Sequence, residues 1–576
     1  MSNEGPDARA SNIASALSEM ARCRPYVTAV ACPVGHDRSM RVCYTHWSFR
    51  QLDQESDILA RGLEAVGIGR GVRTVLMVKP SLEFFALTFA LFKAGAVPVL
   101  IDPGMGIKNL GRALLEAEPH AFLGIPPAQL ARRILGWAKS TIKITVTVRT
   151  SHRGARPARI DPTGERFLSL TLAQVRQAGR SDLPYPIVQP EPRETAAILF
   201  TSGSTGAPKG AVYTHEIFNA QVDALRDLYR IEPGEVDLCT FPLFALFAPA
   251  LGMTSIVPDM DATRPARVDP TKIIDAVESF GVTNMFGSPA LIRRVGEFGA
   301  SRGITLPSLK RVISAGAPVP AKVLERFAAM LAPGVQIYTP YGATEALPVA
   351  SIGSVEILGE TRHATDRGAG VCVGRAVQGV RVEVIRISDA AIPVWSDELK
   401  LPEGSIGEFA AQGPVVTQEY FHRPEANQLA KIVDPSAPGS LIHRMGDLGY
   451  RDTQGRLWFC GRKSQRVVTA TATLFTIPCE AIFNTHPEIA RTALVGVGRP
   501  GQTRPVLVAE PRLWPRARAD RDRLREELLS LGTTHSHTRL IQTVLFHRSF
   551  PVDIRHNAKI FREKLALWAA RRVRRL

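Results

Sequence analysis

Residues 199–210 read LFTSGSTGAPKG. An apolar run at 196–200 leads into this stretch and a second at 211–213 leads out, which predicts a loop hung between two buried strands. Gly203, Gly206 and Gly210 permit backbone conformations that turn successive N–H groups toward one anion. Thr201, Ser202, Ser204 and Thr205 add hydroxyl donors, and Lys209 adds a positive charge. The composition suits phosphate; the plainer alternative is a Ser/Gly surface turn. It is not a Walker loop, which needs Gly before its Lys, Ser or Thr after it, and a following helix. Here Pro208 precedes Lys209, Gly210 follows, and the chain returns to a strand.

The 576 residues exceed what one hydrophobic core holds, so two or more domains are expected, and 45% hydrophobic composition is ordinary for a globular chain. The seven cysteines, at 23, 32, 43, 239, 372, 460 and 479, show no C-x-x-C or other metal-like spacing, and an odd number of scattered thiols points to a reducing compartment. The N-terminal segment is polar. Ile13, Ala14, Leu17 and Met20 recur at helical spacing after a cap at Ser11, which predicts an amphipathic helix and excludes a signal peptide. Residues 240–258 carry no charge, but Pro242, Pro249 and Pro258 divide them, so they read as buried core or as a substrate-channel wall, not a membrane span. A cytoplasmic protein is the expectation.

An excess of 71 Lys and Arg over 54 Asp and Glu gives a net charge of +17, which raises nucleic acid, anionic membrane and acidic partners as candidates. Arginine concentrates at 149–166, at 512–525 and in the terminal ARRVRRL. Without interleaved aromatics or a nucleic-acid module these read as solvated faces, so no nucleic-acid partner is expected. The terminal stretch differs. Phe561, Leu565 and Trp568 share a helical face that ends in four arginines, a pattern that fits peripheral docking to a membrane surface or to a partner.

Residues 45–103 predict a helix from Phe49 to Gly67, a strand 72–78, a helix 82–93 and a strand 97–101, which is βαβ logic and a parallel sheet. Gly67, Gly69 and Gly71 precede the strand, so Gly67 is a helix stop and not a dinucleotide fingerprint. Residues 149–180 are rich in Pro, Gly and Arg and read as an exposed insertion. A helix follows through Ile217, Ala220, Ala224 and Leu228, then the apolar FPLFALFAPALG at 241–252. Strand-like 282–286 opens into GSPALI at Gly287, and strand-like 309–313 opens into SAGAPVP, which holds Ala315, Gly316 and Ala317. Strand ends that open into small-residue loops are where α/β sheets place ligands. In YTPYGATEA at 338–346, Tyr341 offers an aromatic face to a purine and Gly342 lets the backbone approach an acyl group. Thr344 is a phosphate donor and Glu345 a hard oxygen ligand for Mg²⁺.

Taken in this order, the phosphate loop, SAGAPVP, YGATEA, GEFAAQGPVVTQEYFHRPEAN at 407–427, HRMGDLGY at 443–450 and GRKSQR at 461–466 resemble the adenylate-forming superfamily of acyl-CoA synthetases, peptide adenylation domains and luciferase. The resemblance spans about residues 10–570. It implies an α/β fold: a large N-terminal domain of parallel α/β sheets with a β-barrel-like part (1–462), and a small mobile α+β lid (463–576). It implies ATP and Mg²⁺, adenine against Ala315, Gly316 and Ala317, and the ribose hydroxyls on Asp447 and Arg462. Lys559, in NAKIF, matches the lysine that reaches from the lid to the α-phosphate, although Ala558 stands where the family usually has Gly. The acyl pocket falls on Phe241, Phe244, Ala245 and Phe247 with Gly287; Ala245 replaces the family's usual His. The implied reaction is attack of a carboxylate on the α-phosphate of ATP, with Lys209, Thr344, Glu345 and Lys559 as its catalytic groups.

Past Arg462, CoA-using relatives carry a Lys and then a Gly, but here Val468 and Thr471 stand near those positions. The NAKIFREKLALWAARR ending and the broad pattern are similar to bacterial olefin β-lactone synthetases, which close long-chain 2-alkyl-3-hydroxy acids through the adenylate. That resemblance implies a β-hydroxyl as internal nucleophile, and a thiolase, a reductase and a β-lactone decarboxylase as pathway partners. A fatty acyl-CoA or acyl-carrier ligase is the alternative.

Overall fold

The computed structural model describes residues 12–149, 168–191, 193–201, 207–241, 246–553 and 559–573. The two runs beside the phosphate loop pair with each other: strands Thr195–Phe200 and Gly210–Thr214 are antiparallel, with Ala197 opposite Tyr213 and Phe200 opposite Gly210. Glycine is required at 210, since a Cβ there would stand 2.7 Å from Ile198 Cγ2 and 3.0 Å from the Phe200 ring.

This hairpin closes one side of a seven-stranded sheet, in the order Leu168–Thr171, Ile144–Thr147, Ala121–Gly124, Arg73–Met77, Val97–Leu100, Thr195–Phe200, Gly210–Thr214, parallel except for its last strand. Helices cover both faces, as crossover connections require. Helix Phe49–Ala65 begins at a capping box of Ser48 and Gln51 and ends where Gly67, at φ 90°, donates its N–H to Glu64 O at 2.9 Å. Helix Leu82–Lys93 is mostly apolar and is buried along its length except at Glu83, and its Lys93 is paired with Asp53 and Asp57. On the opposite face, helices Ile107–Ala117 and Pro126–Leu135 set Leu110, Leu114 and Ala128 into a cluster with Val75, Val99 and Phe122.

A second, longer sheet begins with the antiparallel pair Val42–Ser48 and Thr28–His36 and runs on through parallel strands Thr254–Ile256, Val236–Leu238, Asn284–Phe286, Arg311–Ile313 and Gln336–Ala343. It continues through antiparallel strands Ala346–Gly353, Val371–Ala376, Leu457–Arg462, Leu441–Arg451, Gly407–Gln412 and Arg381–Ile385. Because Asn284–Phe286 and Arg311–Ile313 are parallel neighbours, the loops after Phe286 and Ile313 leave the same edge of the sheet. The chain ends in a smaller domain: strands Ile489–Val497, Arg504–Pro511 and Val544–Phe546, with helices Thr476–Asn484, Arg518–Thr533 and Arg562–Val573 around two apolar clusters.

Two segments depart from the sequence reading, and a third forms as expected. Of the stretch at 149–180, expected as an exposed insertion, residues 150–167 lie outside the described residues, while Leu168–Thr171 is an edge strand and Leu172–Ala178 a helix with a Thr171/Gln174 capping box. That helix lies so close to Phe49–Ala65 that a Cβ on Gly62 would stand 2.0 Å from Val175 O. The early amphipathic helix forms as Ser15–Cys23 with Leu17 fully buried, and Asn12 Oδ1 accepts from Ala14 N at 3.0 Å; the expected cap, Ser11, lies outside the described residues. The face expected to dock the chain's end elsewhere is occupied at home: Leu565 and Ala569 are buried, and Ile560 and Trp568 partly buried, against the small domain's own sheet. All seven cysteines are free, and no described helix is long and apolar enough to cross a membrane.

Candidate active site

Thr201, Lys209, Thr344, Glu345, Arg462 and Lys559, drawn from both domains, line one cavity of about 960 Å³. The neck of the phosphate loop is closed by the Thr201 N–H, which donates to Lys209 O at 3.0 Å. Gly342, Thr344 and Glu345 sit at the tight turn joining Gln336–Ala343 to Ala346–Gly353. Lys559 arrives on a small-domain segment held by a bridge between Val552 and Ile560, where the Asp553 N–H donates to Lys559 O at 3.0 Å.

Of the other expected residues, Phe241, Ala315, Gly316 and Gly342 also line this cavity. Tyr341 and Asp447 are not among its lining residues; they bond each other, and Asp447 pairs with Arg462, which lines it. Ala317 follows Gly316, and Gly287 donates its N–H to Ile313 O at 2.9 Å, which ties the two strand-end loops together. Phe247 packs against Phe218, with ring centroids 6.1 Å apart, among the side chains of the first sheet's core. Ser202, Gly203, Ser204, Thr205, Gly206, Phe244 and Ala245 lie outside the described residues.

Asp447 carries the most constrained carboxylate. It is 2% exposed; Tyr341 Oη donates to its Oδ2 at 2.6 Å, and Arg462 Nε stands 2.9 Å from its Oδ1. The guanidinium lies off the hydrogen-bonding axis, so Oδ1 is charge-paired yet accepts no hydrogen bond. Burial pushes the Asp447 carboxyl above the usual carboxylate range, with Arg462 pulling it back, while Asp447 in turn raises Arg462. A buried acceptor with unused lone pairs beside a fixed guanidinium fits a vicinal diol, whose hydroxyls would donate to it.

Glu345 also heads a second group, in which Tyr420, Lys431 and His443 were not among the residues expected from the sequence. Its Oε1 accepts from Tyr420 Oη at 2.7 Å, and the Tyr420 ring carries Lys209 Nζ at 4.8 Å and Lys431 Nζ at 5.9 Å from its centroid. Lys431 is 7% exposed, donates to the Thr417 carbonyl and hydroxyl, and is pushed down to about 7 by burial, against the pull of Glu345 and Glu419. Across the strand pair, in register with it, stands His443. Burial first, and then Lys431 and Lys209, push this imidazole well below its ordinary value, and its Nδ1 has no hydrogen-bond partner. No local signal marks Lys431 or His443; their burial and pairing depend on the register of the sheet. Among the described residues no group of three His, Cys, Asp or Glu stands together as a metal site. A dication in this cavity would therefore rest on Glu345 together with substrate phosphates, the arrangement Mg²⁺ commonly takes.

Where the two domains join, charges are buried and paired. Arg444 and Glu408, each about 1% exposed in the side chain, form an ion pair at 2.6 Å, and Lys463 Nζ reaches Glu408 Oε1 at 3.0 Å and Ser388 O at 3.0 Å. Arg466 pairs with Asp389 at 2.5 Å and donates to Lys463 O at 2.7 Å.

Residues 21–421 match the family model described as AMP-binding enzyme. The chain is similar to the olefin beta-lactone synthetase of Xanthomonas campestris pv. campestris, 50% identical over 564 residues, covering 97% of each chain. It is similar also to the olefin beta-lactone synthetase of Stenotrophomonas maltophilia, 49% identical over 98% of each. Among solved structures, the amide bond synthetase McbA of Marinactinospora thermotolerans superposes with a TM-score of 0.74 at 21% identity, over 97% of this chain and 99% of that one. The protein belongs to the AMP-binding, adenylate-forming enzyme family and is an AMP-forming ligase.

Proposed function

We propose that the protein activates a long-chain 2-alkyl-3-hydroxy fatty acid as its acyl adenylate and then closes it to a β-lactone, releasing pyrophosphate and AMP. The observation that carries this reading is end-to-end identity of about one half to two proteins named olefin beta-lactone synthetase, the small domain included. A local feature supports it. Where CoA-using relatives carry their Lys and Gly, residues 467–477 contain neither, and the segment folds into a small hairpin, Val467–Val468 against Thr473–Leu474, with Ala472 N donating to Thr469 Oγ1 at 2.9 Å.

In the first step a carboxylate oxygen of the acid forms a bond to the α-phosphorus of ATP and the bond to pyrophosphate breaks. Two anions meet, so the site must supply positive charge where charge builds. Lys209 stands at the neck of the phosphate loop, and Lys559 enters from the small domain beside the attacking oxygen. Thr344 donates to phosphate, and the Tyr341–Asp447–Arg462 group holds the ribose. Mg²⁺ bound at Glu345 would neutralise phosphate charge. In the second step the β-hydroxyl oxygen attacks the activated carbonyl, its proton is lost and AMP leaves. Tethering makes this attack intramolecular; effective molarities of about 10⁵–10⁸ M are known for well-placed groups, reduced here by four-membered ring strain.

Residues 1–462 serve as the nucleotide and acyl body and 463–576 as a mobile lid, in this reading. The lactone is the substrate a decarboxylase would convert to olefin. Incubation with ATP, Mg²⁺ and a 2-alkyl-3-hydroxy fatty acid, with and without CoA, tests the assignment. Lactone formed without CoA is expected; a CoA thioester as sole product would overturn it in favour of an acyl-CoA ligase.

A further inference from the structure

Helices Ile107–Ala117 and Pro126–Leu135 share one face of the seven-stranded sheet and fill one apolar cluster beneath them. The first adjoins the end of the second: a Cβ on Gly111 would stand 3.2 Å from Nε1 of Trp137, two residues past Leu135. Their outer surfaces are unusual. Ile107, Leu115, Leu130, Ile134 and Leu135 are 46–74% exposed, and they are five of the seventeen large apolar side chains that remain exposed among the described residues. Leu130 and Ile134 stand one helical turn apart, and Ile107 and Leu115 two turns apart. Lys108, Arg112, Arg133 and Lys139 are exposed among them and make no ion pair with any described residue.

Acid is absent where it would oppose them. The second helix has no Asp or Glu, and the single acid of the first, Glu116, turns inward to Arg423 at 2.5 Å. Glu118, just beyond, lies 3.8 Å from Arg73. An apolar stripe flanked by uncompensated bases matches a surface that is apolar below and anionic above. The net charge of +17 adds long-range attraction of the same sign. We propose that these two helices dock the protein on the face of an anionic lipid bilayer, in place of the C-terminal helix whose apolar face packs on its own domain. This goes beyond the catalytic assignment and does not depend on it.

The test is sedimentation of the full chain with vesicles of phosphatidylcholine alone and of an equal mixture with phosphatidylglycerol. Binding to the mixed vesicles only, weakening as salt is raised, is expected. Arg133→Glu with Lys139→Glu should weaken partitioning by about 25-fold or more, since each base near an anionic surface contributes roughly fivefold. Leu130→Glu with Ile134→Glu should abolish it, while Leu183→Glu, at an exposed leucine elsewhere, should not. These are surface positions, and retained pyrophosphate release shows that each variant is folded. Wild-type protein that ignores anionic vesicles, or variants that bind like wild type, would overturn the proposal. So would a Leu130/Ile134 variant that loses only a self-association seen by light scattering, because the face would then join copies of this chain.

Discussion

Lys431 is the buried cation whose removal has the most calculable consequence. Its ammonium is held near 7 in place of an ordinary 10.5, a displacement worth about 5 kcal/mol at roughly 1.36 kcal/mol per pH unit. The folded-state value is depressed, so the unfolded chain binds more protons between pH 7 and 10.5, and burial of the cation costs most below pH 7 and least above 10.5. For a single site this cost falls by about 3 kcal/mol between pH 6 and pH 9.5. Lys431→Met removes it. The same change deletes two hydrogen bonds to Thr417, worth about 1 kcal/mol each, and leaves a buried carbonyl without a donor, a further loss of about 1–3 kcal/mol. The variant should therefore match or exceed wild type at pH 6 and fall below it at pH 9.5. Urea unfolding at both pH values, followed by hydrogen exchange across strand Leu441–Arg451, measures the difference of differences. Parallel pH dependences in the two proteins would refute the reasoning, whatever their absolute stabilities.

Lys559→Ala should slow adenylation by about 10²-fold or more, as other single electrostatic donors do, while nucleotide binding by calorimetry is retained. Tyr341→Phe removes the 2.6 Å bond to Asp447; a hydrogen bond to a charged group is worth about 1.5–3 kcal/mol of stability, so the melting temperature should fall, and nucleotide affinity should fall with it because the ribose acceptor is no longer held. Gly62→Ala drives a methyl into Val175 O, an overlap expected to cost about 1–3 kcal/mol and visible as a lowered melting temperature. Arg444→Met leaves Glu408 with Lys463 alone in a buried setting and should destabilise by about 3–5 kcal/mol, read as lost soluble yield or an early unfolding transition.

Much of this arrangement is local in the chain and was therefore legible. A helix such as Phe49–Ala65 was legible through its start near Phe49 and its stop at Gly67, and the hairpin around residues 199–210 through the two apolar runs that flank it. What stayed hidden depends on distant partners. Leu168–Ala178 looks irregular because a four-residue strand and a seven-residue helix are too short for periodicity to show, and their order comes from the sheet edge and from close contact with Gly62. The face through Leu565 and Trp568 was correctly apolar, but pattern alone does not say which surface receives it, and its own domain does. Lys431 and His443 are ordinary polar letters until strand register sets them side by side in the interior.

The anchors around residues 463–466 have a mechanical consequence. Lys463 is tied to a buried Glu408, whereas Arg466 is tied to Asp389, whose side chain is 71% exposed. Salt screens the outer tie and hardly touches the inner one. If residues 463–576 swing as the proposed lid, the swivel would be easiest just beyond Lys463, with Arg466 letting go first, and the ease of that swing should increase with ionic strength even though no part of the catalytic cavity has changed.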